Sequence, residues 1–152
     1  MAQNVGGKSE IARSNNVKLN VVNVKMSRQV GQTVHKLADL RLPEWRILAL
    51  LAEAGSLSQA DIRTQIGMDK GQISRTVKSM FKSELISSET VEGKSRNIRL
   101  GLTDKGREVH RKVDIMMERR NNELLASLSS DQQGSLYEGL EILEKAIDSW
   151  SM

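Results

Sequence analysis

SLSQADIRTQIGMDKGQISRTVKSMFKSELISSETVEGKSRNIRLGLT, residues 56–103, carries the main structural signal of this chain. Ser58 with Asp61 three residues later forms a start signal for a helix, and Ile62 and Ile66 give it a short apolar stripe that Gly67 ends. Asp69 with Gln72 repeats the signal. Ile73, Val77, Met80 and Phe81 then recur at helical spacing and face inward, while Gly71, Gln72, Arg75, Lys78, Ser79 and Lys82 fall on the outer side. The turn between the two helices is about three residues, as a helix-turn-helix requires. Residues 86–91 and 97–102 flank Glu92-Gly93-Lys94-Ser95. In the second run Ile98, Leu100 and Leu102 alternate with Asn97, Arg99 and Gly101, so the pair reads as a hairpin with a basic tip. A short cationic helix braced by a smaller one, with a basic hairpin beside it, fits the major groove of duplex DNA and the adjoining backbone.

Outward from this segment, Pro43 and Glu44 start a helix whose Trp45, Ile47, Leu48, Leu50 and Leu51 make it apolar nearly all round. It should therefore sit centrally, and Gly55 should stop it. Residues 1–15 show no periodicity and read as a mobile tail. Val17, Leu19 and Val21 hint at strand alternation, but Leu19, Val22, Met26, Val30, Val34 and Leu37 make a longer helical stripe, and length favours a helix over residues 16–40. Thr103 caps a long helix with Val109, Val113, Met116, Met117, Leu124 and Leu128 on its apolar side. Ser129 and Ser130 open the last helix, with Leu136, Leu140, Leu143 and Ile147 inward. The chain divides into a tail (1–15), an N-terminal helix (16–40), a helix-turn-helix with hairpin (41–103) and two C-terminal helices (104–152). The fold class is mainly α with a small β-hairpin.

The 152 residues suit one compact domain or one subunit of an intertwined oligomer, and 38% hydrophobic residues supply a core. Without cysteine there is neither a disulfide framework nor a thiolate metal site, which fits the cytoplasm. No apolar run approaches the ~20 residues that span a bilayer, and the N-terminus lacks a signal-peptide core, so no membrane partner is expected. Net charge is only +4, but it is unevenly spread. Residues 69–112 carry eleven Lys/Arg against six Asp/Glu, and residues 113–152 carry three against eight. The basic centre suits phosphates, whose contacts release condensed counterions, and the acidic end should point away from nucleic acid.

LPEWRILALLAEAG (42–55), MDKGQISRTVKSM (68–80) and SRNIRLGLTDKG (95–106), in that order and spacing, resemble the multiple antibiotic resistance regulator (MarR) family of winged-helix DNA-binding dimers over roughly residues 17–148. The resemblance includes Arg96 followed after five residues by Leu102-Thr103. It implies a winged helix-turn-helix with a recognition helix from Asp69 and a wing that inserts Arg96 at or near the minor groove. It also implies a homodimer intertwined through the N-terminal and C-terminal helices, and a small, often phenolic or anionic, effector that weakens DNA binding. The chain departs from the family pattern twice. Lys94 stands where relatives often carry an acid that holds the wing arginine. Glu84 stands where they often carry glycine, and a left-handed backbone there costs about 1–2 kcal/mol with Glu.

Within this frame Arg75 is the candidate for base readout, because a guanidinium bonds two guanine acceptors at once. Gln72 either reads adenine or caps its helix. Ser58, Lys70, Ser74 and Lys78 are expected on phosphates, which position without specifying sequence. Lys94, Ser95 and Arg96 form the wing tip, where a narrow minor groove attracts arginine. Trp45 either lines an effector cavity beneath the wing or anchors the core. Arg99 is left unassigned. His35 and His110 make no metal site, no nucleophile–base pair or phosphate loop is present, and no cofactor is expected, so the protein does not read as an enzyme. The expected partners are a pseudo-palindromic duplex with half-sites about one helical turn (~34 Å) apart, a second copy of the chain, and an effector that releases a repressor. The rival functions are a winged helix that docks proteins, or a small enzyme. Only four aromatic residues leave no stacking platform for single-stranded RNA.

Overall fold

The computed structural model describes residues 5–90 and 98–150. The element order is α1 (Val5–Ala38), α2 (Leu42–Ala54), β1 (Ser56–Ser58), α3 (Gln59–Ile66), α4 (Lys70–Lys82), β2 (Ile86–Thr90), β3 (Ile98–Leu102), α5 (Asp104–Leu125) and α6 (Ser130–Trp150). The chain falls into two compact units, residues 1–113 and 114–152.

Helix α1 begins at Val5, so most of the expected tail is helical instead. Once a helix exists, each added residue gains one hydrogen bond, and residues 8–16 contain no proline to stop the extension. The hairpin is also larger than read. Ser56–Ser58 adds a third strand, and the antiparallel sheet runs β1-β3-β2. Leu57 lies opposite Leu100, and Ile86 opposite Leu102. Three residues are too few to display a period, which is why β1 is silent in the sequence.

The core of the first unit is built where the apolar stripes meet. Ile47, Leu48 and Leu51 of α2 are almost fully buried, with Ile62 of α3, Ile73, Val77 and Met80 of α4, and Leu100 and Leu102 of β3. Val34 of α1 and Val113 of α5 are buried as well. Expected inward positions on two helices differ. Phe81 is 38% exposed, because Met80 already fills the inward site next to it. Leu136, Leu140, Leu143 and Ile147 of α6 are 45–56% exposed. A helical stripe marks a face that avoids water but not which chain covers it.

The end of α4 turns on Glu84, which is left-handed at φ 59°. Two contacts hold this unfavourable backbone. The Glu84 carbonyl accepts from the Thr103 hydroxyl at 2.6 Å, and its carboxylate meets Lys105 Nζ at 3.4 Å. Next to it, the Leu85 carbonyl accepts from Thr103 N–H at 3.2 Å, and Thr103 Oγ1 in turn accepts from Gly106 N–H at 3.0 Å. A β-carbon on Gly106 would lie 2.0 Å from the Leu85 oxygen. Glycine is therefore a steric requirement at the first turn of α5.

Glu44 is a buried carboxylate at the start of α2, 6% exposed. Burial pushes its pKa up. Hydrogen bonds from the Arg41 guanidinium and backbone, a hydrogen bond from Ser79 of α4, and the Arg41 charge outweigh burial, so the group is held below the usual carboxylate range. Arg41 N–H reaches Oε2 at 2.8 Å and Nη2 reaches Oε1 at 2.6 Å. Ser79, expected on the outer side, is half-buried through this contact.

Gly106→Ala should lower stability by about 2–3 kcal/mol, because the blocking atom is backbone. Glu84→Gly should raise it by about 1 kcal/mol, the relief of the left-handed strain less the added chain entropy. Urea unfolding checks both. A carboxyl whose folded pKa is depressed stabilises above its unfolded pKa of ~4.3 and loses that contribution as pH falls through the folded value. Stability measured from pH 6 down to pH 3 should therefore fall less steeply for Glu44→Gln than for the unsubstituted protein.

Candidate nucleic-acid interface

Helix α4 has its inner face committed and its outer face free. Ile73, Thr76, Val77 and Met80 are buried, and the Thr76 hydroxyl donates to the Gln72 carbonyl at 2.9 Å. Lys70, Gln72, Ser74, Arg75, Lys78 and Lys82 are all exposed on the remaining arc. The helix entrance is fixed by a reciprocal cap. Asp69 Oδ1 accepts from Gln72 N–H at 2.7 Å, and Gln72 Oε1 accepts from Asp69 N–H at 3.3 Å. Gln72 therefore caps the helix, and its amide NH2 remains as a donor towards a ligand.

Arg75 lies back along the helix. A β-carbon on Gly71 would come 3.4 Å from Arg75 Nη1, so the guanidinium lies back over the first turn beside Gly71. Ser58 ends β1 and caps α3. Its hydroxyl accepts from Asp61 N–H at 3.1 Å and donates to Asp61 Oδ2 at 2.7 Å, so it faces a ligand only with its cap contacts in place. Gly67 closes α3 in the left-handed region at φ 69°, which permits the tight turn into α4.

Lys94, Ser95 and Arg96 lie outside the described residues. The strands on either side are in register, with Thr90 opposite Ile98. Arg99, unassigned from sequence, has a defined place. Its Nε donates to Ser56 Oγ at 2.9 Å and its Nη2 to the Ser56 carbonyl, while Glu89 lies opposite it on β2. It ties the short strand β1 to β3. Nothing in a one-in-two alternation reveals that tie, because the partner strand itself is not legible.

Trp45 is 8% exposed and stacks on His110 of α5, with ring centroids 5.3 Å apart and planes 13° apart. Its edge also borders a groove of about 470 Å³ between α2 and α3, alongside Arg46, Leu50, Glu53 and Gln65. His35 pairs with the exposed Asp39 at 3.2 Å. Among the described residues no group of three or more His, Asp or Glu could hold a metal ion, and no helix is long and apolar enough to cross a membrane.

Two arginines that the sequence reading passed over join this face. Arg41 and Arg46 line a groove with Gln72 and Arg75. A signal for Arg46 was available, since it is the only cation inside α2.

Comparison with known proteins agrees with this geometry. Residues 40–97 match the MarR family. The chain is 25% identical over 126 residues to the HTH-type transcriptional regulator MgrA of Staphylococcus aureus, covering 83% of this chain and 82% of that protein. It shares its fold with a MarR/EmrR family transcriptional regulator from Acinetobacter sp. ADP1 (TM-score 0.82, 24% identity, 91% of this chain and 98% of the other). It also shares its fold with a mutant MarR from E. coli, solved in complex with operator DNA (TM-score 0.75, 17% identity, 88% and 95%). The segment that matches the MarR family model spans α2, β1, the helix pair α3–α4 and β2, and the chain has the winged helix-turn-helix fold of the MarR-family structures it resembles.

Proposed function

We propose that two copies of this chain bind a pseudo-palindromic duplex, each placing α4 in a major groove and its wing on the adjoining backbone, and that the complex represses transcription until a small aromatic or anionic effector releases it. The observation that carries the reading is the outer face of α4. Gln72, Ser74, Arg75 and Lys78 are exposed together, while the capped N-terminus and buried Ile73, Val77 and Met80 hold that face in place. Preorganised donors cost little entropy on binding. Arg75 is assigned to base edges, and Lys70, Ser74 and Lys78 to phosphates. Ser58 is assigned to a phosphate through the edge of its cap. Lys94, Ser95 and Arg96 are assigned to the wing contact because of their charge and their place between β2 and β3. The mutant MarR of E. coli, solved with operator DNA, supports the same use of the fold.

Self-association is supported by apolar side chains left in water. On α1, Val17, Val22 and Val24 are 53–63% exposed, and on α6 Leu136, Leu140, Leu143 and Ile147 form one stripe. Patches of this kind are uncommon on a monomer. A second copy suits them, because both helices lie in the regions the family resemblance assigns to dimerisation. Effector binding is assigned to the groove bordered by Trp45, and it works by a difference in affinity between the DNA-competent and released arrangements.

Selection of bound duplexes from random DNA, followed by titration at several salt concentrations, tests the reading; failure to shift any duplex at ~50 mM salt would favour a protein-docking role. Arg75→Ala should cost about 1–3 kcal/mol on the selected duplex and less on an unrelated one. Arg96→Ala should weaken both and lower the salt slope by about 1. Leu140→Glu with Leu143→Glu should shift the species seen by light scattering from dimer to monomer and reduce duplex affinity with it.

A further inference from the structure

Between the start of α2 and the first turns of α4 lies a groove of about 380 Å³. Arg41 and Arg46 stand on one side, Gln72 and Arg75 on the other, and the Gly67–Met68 turn lies between them. Three arginines thus line one concavity. One carboxylate answers them in part: Glu44 takes Arg41 at 2.6 Å. Among the described residues no ion pair involves Arg46 or Arg75. The contact that holds Arg46 is neutral, a hydrogen bond from Nη2 to Ser27 Oγ of α1 at 3.1 Å. A hydroxyl orients a guanidinium without cancelling its charge, so Arg46 keeps its remaining donors and its full field for a ligand.

The ligand must be anionic, compact and within reach of the reading residues. Gln72 and Arg75 belong to both this groove and the outer face of α4. When the N-terminal half of α4 enters a major groove, the structure next to it on the duplex is the sugar–phosphate ridge that bounds that groove. We propose that the groove seats a backbone phosphate flanking the bases approached by Arg75, with Arg46 as its main contact and Arg41, half-neutralised by Glu44, as a lesser one. This rests on the DNA-binding reading above. It adds a contact from α2, outside the α3–α4 pair and the wing strands, and it makes α1, through Ser27, part of the support for the interface.

The test is a titration of the full-length protein with a duplex selected by the unsubstituted protein and with an unrelated duplex, between ~50 and ~200 mM salt. Arg46→Ala should lower the slope of log affinity on log salt by about 0.9 for each protomer bound and weaken both duplexes by a similar factor. Arg46→Lys should restore most of the slope, since a phosphate contact needs charge. Ser27→Ala should keep the slope, because the cation is retained. Thermal melting of each variant establishes that it is folded. A folded Arg46→Ala protein with an unchanged slope overturns the proposal. So does stabilisation by benzoate or inorganic phosphate that Arg46→Ala abolishes while the slope is unchanged, since the groove would then take a free anion. If the unsubstituted protein shifts no duplex at all, the DNA-binding reading falls first, and the proposal falls with it.

Discussion

The close approach of Leu85 and Gly106 is the constraint on which the geometry of the first unit depends. The Leu85 carbonyl accepts from Thr103 N–H and lies where any β-carbon on residue 106 would have to go. Leu85 follows the left-handed turn at Glu84, and Thr103 follows the last residue of β3. One small cluster therefore closes α4, starts the wing strands and launches α5. The exposed cations of α4 hang from an element whose placement against β2, β3 and the start of α5 is set there, by backbone hydrogen bonds and by the absence of a single methyl group.

That cluster explains how the chain tolerates Glu84. The left-handed backbone persists because the surrounding bonds over-determine it, with its carbonyl taken by Thr103 and its carboxylate near Lys105. A second buried tie runs between α2 and α4, where Glu44 meets Ser79. Helix α4 is thus gripped near its C-terminal end from two sides and capped at its N-terminus by Asp69 and Gln72, while Ser74, Arg75 and Lys78 stay exposed on its outer arc. Rigid support of this kind holds the exposed donors of the outer face in fixed positions.

Much of the fold was legible in the residues because its signals are local. Caps at Ser58 and Asp69, stops at Gly55 and Gly67, and the stripe Ile73–Val77–Met80 each lie within a few positions of the backbone they control. The alternation of Ile98, Leu100 and Leu102 revealed β3, and the place of Arg75 on the outer face followed from helical angle alone. The reading went astray where burial depends on a distant neighbour. Phe81 sits beside the stripe yet is exposed, and Ser79 looked solvent-facing yet turns to Glu44. β1 is too short for a period, and it pairs with a strand more than forty residues away.

Linear pattern was thus enough for most helix and strand types, the caps of α3 and α4 and the positive sign of the outer face of α4, because propensity, capping and periodicity act over a few residues. It took the packed molecule to establish that Gly106 is a steric necessity, that Arg99 staples Ser56 into the sheet, and that Arg41 and Arg46 share a groove with Arg75. Those facts are distances between segments brought together by burial, and the order of residues along a chain carries no record of which surfaces will meet.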